Sequence, residues 1–411
     1  MSDIRFEGWL HRSGTGGVYQ DSAGNVGIAS TQPKTRLDIG NGGFQVGPTG
    51  ICTATLVNAT PLSHRNKVIN GAMNVAQRGT SQTGTNSSGY KTVCDRWRLN
   101  ANGSNVGTYT VSQSTTSPDG FGNSYKIDCT TARTPSSDEM YELEQRFEGQ
   151  DLQDFAKGTS SAKEFSLSFY VKSNVNGNYV VWLYDADNNR NIGAVYTVSD
   201  SNWNRYTVTF PADTTGAFGN DNARSLDVRF VLLSGSDFTS GTLPTTAWET
   251  TSNANSRAGQ TANVASSTSN EWYLTGVQLE VGSVATPFEH RSFGDELERC
   301  RRYFQIIKGG SDDYTGLSGY SESTSNARFP VYFRPPMRSD PTFSMAGTLR
   351  FQGGTNDSAT FTSGLALQQI NDTFDGASMQ LTGSSGMGAA DRPGNLQFKA
   401  NNSSISFDAE L

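Results

Sequence analysis

Residues 165–173 read FSLSFYVKS. Phe165, Leu167, Phe169 and Val171 fall on one side of an extended chain, with Ser166, Ser168 and Lys172 on the other, the period of two that marks a half-buried β-strand. Comparable runs follow in YVVWLYD (179–185), RYTVTF (205–210), LDVRFVLL (226–233) and WYLTGVQLEV (272–281). Between them lie turn-rich tracts such as DADNNRN (185–191) and PADTTGAFGNDN (211–222), without intervening helical patterns. Many strands joined by polar turns predict antiparallel sheets packed face to face, an all-β sandwich of the jelly-roll kind.

Composition points the same way. Of 411 residues, 34% are hydrophobic and 17% charged, and Gly far outnumbers Pro, as in a β-rich chain with many turns. An aromatic content of 10% supplies more apolar area than a disordered chain carries. The net charge of −7 argues against nucleic acid as a partner, because phosphate binding needs a basic footprint. There is no apolar run of about 18 residues to enter a membrane, and MSDIRFEGWLHRSG lacks the basic-then-apolar layout of a signal peptide. A soluble protein that folds where it is made is the expectation. Cys52, Cys94, Cys129 and Cys300 are scattered without metal-ligand spacing and read as free thiols, with a disulfide between two of them as the alternative.

Four parts are expected along the chain. Residues 1–65 hold short alternating pairs, Leu37 with Ile39 and Phe44 with Val46, separated by glycines and unable to bury a core alone. Either they add to a neighbouring domain, or strands from several chains supply what is missing. Residues 66–293 carry the sandwich. Residues 294–308 read as a short connecting helix: Phe293, Leu297, Cys300 and Phe304 recur at helical spacing, and Ser292 with Asp295 approximates a capping box. Arg299, Arg301 and Arg302 in its later turns suit a helix dipole, a bound anion or an ion pair between subunits. Residues 309–411 read as a Gly/Ser/Asp-rich linker (309–327) and a small C-terminal β domain.

Catalytic constellations are missing. His11, His64 and His290 form no metal pair, and neither GxSxG nor a P-loop is present. DADNN (185–189) begins like a calcium loop, but Arg190 stands where Gly is needed and Tyr196 where the bidentate Glu belongs, so a hairpin turn is expected. Glu142 and Glu144 share a strand face, which suggests a carboxylate pair but reads more simply as a solvated face. No enzyme activity, metal or cofactor is expected.

Several long phrases are familiar in their order. NKVINGAMNVAQRG (66–79), CDRWRL (94–99), YELEQRFEGQDLQDFAKGTSSAKEFSLSFYVKS (141–173), TFPADTTGAFGNDN (209–222) and WYLTGVQLEVGSVATPFEHRSFGDELERCRRYFQ (272–305) resemble a domain of phage tail-fibre proteins, especially those of marine cyanobacterial phages. GGVYQDSAGNVGIASTQPKTRLDI (16–39) is similar to a fibre-shaft unit, with Ala29 in place of its usual second Gly. RFPVYFRPPMRSDPTF (328–343) is a fainter echo of the same family.

The resemblance implies a jelly roll like those of carbohydrate-binding modules, in a homotrimeric virion protein assembled in the host cytoplasm. Its N-terminal segment would join other tail or virion proteins, and its distal parts would face a host-surface glycan such as lipopolysaccharide. Trp182 with Tyr184, and Trp203 with Tyr206, are the candidate sugar-stacking residues, each with core packing as the alternative. The alternative function is a connector, horn or head fibre that binds only other virion proteins.

Overall fold

The computed structural model describes residues 8–10, 17–28, 37–39, 44–46, 52–53, 56–57, 60–61, 64–103, 106–354, 358–383 and 386–411. They belong to two compact units, 1–65 and 66–411.

In the first unit, Gly8–Leu10, Gly17–Gln20, Val26–Ile28, Leu37–Ile39, Phe44–Val46 and Cys52–Thr53 pair in chain order as one sheet. Val26–Ile28 and Leu37–Ile39 run parallel and their neighbours antiparallel. The two expected apolar pairs meet in register, Leu37 opposite Val46 and Ile39 opposite Phe44. These ladders pair strands of the same chain. Their cross-strand pair Val18 and Ile28 stays exposed.

The second unit begins with a two-sheet antiparallel sandwich. One sheet has the order Gly89–Tyr90, Arg98–Asn102, Met140–Glu148, Arg224–Ser234, Gly177–Asp185, Arg190–Val198, Glu249–Thr250. The other runs Asn204–Phe210, Phe165–Ser173, Glu271–Val281, Ser124–Thr131, Thr108–Ser114, Ser81–Thr85. Phe165, Leu167, Phe169 and Val171 enter the shared core, as their alternation requires. Phe230 lies 6.2 Å from both Trp97 and Trp272, so rings from both sheets meet at the centre. The architecture is an all-β jelly-roll sandwich.

The helix is shorter than its periodicity suggests. It spans Phe293–Arg301, with Ser292 Oγ accepting the Asp295 N–H at 3.1 Å as an N-cap. Cys300 is buried, but Phe293 remains exposed. From Phe304 the chain is a strand, Phe304–Gly309, paired with Ser403–Asp408. Ile306 and Ile307 favour that conformation, and a partner strand overrides the helical spacing. Arg302, just past the helix, pairs with Glu148 of this chain at 2.7 Å.

The linker reading of 309–327 is corrected. Tyr314–Ser321 is the middle strand of a second seven-stranded sheet, ordered Ser358–Phe361, Leu349–Gln352, Arg392–Phe398, Tyr314–Ser321, Ala327–Tyr332, Gly376–Leu381, Leu365–Ile370. Its small residues answer to packing rather than to a turn. A Cβ on Gly319 would lie 1.9 Å from the Arg328 carbonyl oxygen, and the buried Thr315 and Ser321 hydroxyls donate to the carbonyls of Leu396 and Ala389. Phe329, Phe351, Met379, Phe398 and Phe407 belong to a core separate from that of the sandwich. The following residues return to the sandwich: Asp408 and Glu410 meet Arg78, Glu410 meets Arg96, and the Leu411 carbonyl accepts from Arg146 at 2.9 Å.

Candidate functional site

The site grows from the sandwich's seven-stranded sheet, on the face away from the core. On Gly177–Asp185, Tyr179, Val181 and Leu183 turn inward, which sends Val180, Trp182 and Tyr184 outward. The same alternation sends out Asp227 and Arg229 from Arg224–Ser234, Glu142, Glu144 and Arg146 from Met140–Glu148, and Arg98 and Asn100 from Arg98–Asn102. Register then makes rows: Arg98, Glu144, Arg229, Trp182 and Gly193 stand opposite one another in turn, and beside them Arg146, Asp227, Tyr184 and Asn191.

Opposite charges therefore face each other across strands, where such pairs help fix register. Arg229 is shared among Asp227 (2.5 Å), Glu144 (3.0 Å) and Glu142 (3.5 Å). Arg257 meets Glu142 at 2.6 Å, Arg98 and Arg146 meet Glu144 at 2.5 and 3.0 Å, and Arg224 pairs with Asp227. The three carboxylates are fully buried, which corrects the solvated-face reading of Glu142 and Glu144. Burial pushes the Glu142 carboxyl up, but Arg257 and Arg229 outweigh it and leave it below the ordinary range. Asp227 goes the same way, with burial opposed by Arg229 and Arg224. A glycosidase general acid needs the opposite shift.

Trp182 and Tyr184 stack at 5.5 Å between ring centroids. The Trp182 ring is only 3% exposed. The Arg257 and Arg229 guanidiniums lie 4.2 and 4.7 Å from its centroid, and its Nε1–H donates to Asn191 Oδ1 at 2.9 Å. Tyr184 is half-buried and near Arg224 and Arg229. One side of the face is covered by the excursion 235–260. Its Leu243 packs where a side chain on Gly193 would be, 2.8 Å from that absent Cβ. Residues 410 and 411 stand near the other side, at Arg96 and Arg146.

Trp203 and Tyr206 are not brought together. Tyr206 packs on Phe169 and Tyr196 at the sandwich core, and its hydroxyl donates to the Thr197 carbonyl. Trp203 lies edge-on to Tyr273, 6.0 Å away. An odd separation of three along extended chain puts two side chains on opposite faces. Neither joins the Trp182–Tyr184 pair. Sequence reasoning missed Asp227, Arg229 and Arg257. Alternating charges inside apolar runs, in LDVRFVLL and YELEQRF, were the available signal.

The loop-like DADNN tract also has its explanation. The Lys157 ammonium sits 2.5 Å from Asp185 and 3.1 Å from Asp213, and donates to the carbonyls of Thr215 and Gly216. Asp187 instead accepts the Gly219 N–H, and Asn189 Oδ1 accepts from the Tyr184 hydroxyl. The oxygens diverge, and a lysine occupies the one cage they help form. Cys94, Cys129 and Cys300 are free and buried; the side chain of Cys52 lies outside the described residues.

No known family profile matches the chain, and neither does any curated protein. Among solved structures, it is similar to the enzymatically active domain of tailspike protein 4 of bacteriophage CBA120, with 12% identity and a TM-score of 0.28 over 53% of this chain and 21% of that one. It is also similar to a family 11 carbohydrate-binding module from a cellulase of Clostridium thermocellum, with 10% identity, a TM-score of 0.25 and coverage of 51% and 99%. A Stig cyclase from Fischerella sp. TAU is similar as well, with 11% identity, a TM-score of 0.29 and coverage of 54% and 98%. At that level of similarity no residue role passes to this chain.

Proposed function

We propose that the chain is a tail-fibre or tail-associated virion protein that attaches the particle to a glycan on the host surface. The observation that carries the reading is the outward Trp182–Tyr184 stack set in an excess of arginine. Five guanidiniums, from Arg98, Arg146, Arg224, Arg229 and Arg257, meet three carboxylates, in a chain whose net charge is −7. Tyr184 would offer a ring face, and the incompletely buried Arg98, Arg146 and Arg224 would hold acidic groups such as lipopolysaccharide phosphates or uronates. Binding, not cleavage, suits carboxylates that are already paired. A homotrimer would multiply modest sites into avidity and would cover the exposed Val18 and Ile28. The N-terminal unit would join it to other virion proteins.

A second reading, a connector, horn or head fibre that binds only virion proteins, is favoured by the burial of Trp182 beneath the chain's own arginines. The deciding experiment measures the full-length protein on host cells and on a host mutant lacking surface lipopolysaccharide. Attachment that disappears with the glycan, and drops at least tenfold in Tyr184→Ala and Arg224→Ala, supports the proposal. Equal binding to both hosts, or none by a folded oligomer, turns the assignment to the connector. A monomeric mass in sedimentation equilibrium would sink the trimer.

A further inference from the structure

The two most exposed aromatic rings among the described residues of the second unit, Tyr332 and Tyr314, lie on its other seven-stranded sheet. On Ala327–Tyr332 the burial alternates strictly: Ala327, Phe329 and Val331 enter the core, while Arg328, Pro330 and Tyr332 face away from it. Tyr332 is 72% exposed, and on the neighbouring strand Tyr314 and Tyr320 are 61% and 43% exposed. Pairing puts Tyr320 opposite Arg328, on the same face. A sheet face turned only to water is polar. Single exposed rings need no explanation, but three on adjacent strands of one face do.

Beside Tyr332 that face holds a groove of ≈ 700 Å³. Three independent features shape it. Gly376 stands opposite Tyr332 and leaves the flank of the ring open; a Cβ there would meet nothing closer than 3.5 Å. The edge strand Leu365–Ile370 carries a bulge, since Leu367 and Gln369 pair with the consecutive residues Met379 and Ser378, and the extra residue is the exposed Gln368 at the groove. Asn371 closes the end, its Oδ1 accepting the N–H groups of Asp375 and Gly376. None of the described lining residues is charged.

We infer that this groove is a second binding site, for a neutral saccharide. An uncharged lining selects against the acidic groups that suit the arginine-rich sandwich face. An open phenol ring, the apolar Pro330, and the polar Gln368 and Ser378 match the apolar ring faces and hydroxyls of a sugar. The inference extends the attachment reading to a second site of different chemistry.

The test uses the full-length chain in native electrophoresis through gels containing laminarin, dextran or galactomannan, with alginate as the acidic control. The expected result is retardation by at least one neutral polysaccharide, lost in Tyr332→Ala and in Gly376→Val, which fills the groove, and retained in Tyr184→Ala. Retardation by none of the three, or wild-type retardation in both groove variants, overturns the inference. So does a change of oligomeric mass in Tyr332→Ala, which would make the face a contact between copies. Loss of lipopolysaccharide binding with groove retardation intact would instead count against the sandwich site alone.

Discussion

Two seven-stranded sheets in the second unit turn a face away from their cores, and the faces are opposites. The sandwich sheet covers its face with charge: Arg229 is held by three carboxylates, and Arg257 lies over the Trp182 ring. The distal sheet leaves Tyr314, Tyr320 and Tyr332 in solvent. The same alternation produces both, so strand period alone does not tell a platform from a network. What differs is what lies over the ring: the Arg229 and Arg257 guanidiniums and the packed Leu243 cover the Trp182 side, whereas Tyr332 faces Gly376 and stays open.

The comparison breaks most readily at Arg229. Arg229→Met leaves Glu142, Glu144 and Asp227 short of their shared partner, and should cost about 3–5 kcal/mol in denaturant unfolding. A loss below about 1 kcal/mol would mean that water reaches the network. Lys157→Met should cost somewhat less, roughly 3 kcal/mol, because Asp213 keeps Arg190 at 2.8 Å while Asp185 loses its ion-pair partner.

Acid sharpens the contrast. Burial raises Glu142, Asp227 and Glu148, but their arginine partners outweigh it, so their folded values lie below the unfolded ones. Their pairing stabilises the fold above the ordinary carboxylate range and is lost as pH falls through and below it. Asp95 has the opposite sign: burial lifts it to about 6, so stability falls as pH rises through the window below that value. Denaturation midpoints should peak near pH 5, roughly between the two effects, and drop steeply on the acid side. A midpoint that rises steadily from pH 4 to 7 would refute Asp95's part. The smallest effect belongs to the distal face. Tyr332→Ala should change stability by no more than about 0.5 kcal/mol, and a larger loss would mean that the ring packs on something.

The sequence made the sandwich legible wherever apolar alternation was clean, as in FSLSFYVKS and YVVWLYD, and the Ser292 cap was legible too. It hid the strand Tyr314–Ser321, because glycines demanded by a close neighbour look like glycines demanded by a turn. It joined Trp203 to Tyr206 by proximity along the chain, against the parity of a strand. It misread Glu142 and Glu144 as solvated, since their partner Arg229 lies far along the chain and only the ladder register brings it opposite. Long-range pairing was the information that local pattern lacked.

The return of residues 408–411 to the sandwich has a consequence for synthesis. Arg96 is buried, and its carboxylate partner, Glu410, is 314 positions downstream. At about 5–20 residues per second, a ribosome needs roughly 16–60 s to supply it. Once Val281 has emerged the sandwich can close its hydrophobic core, but Arg96 then has only the Arg146 carbonyl as acceptor, and its charge stays without a carboxylate until residue 410 has left the exit tunnel.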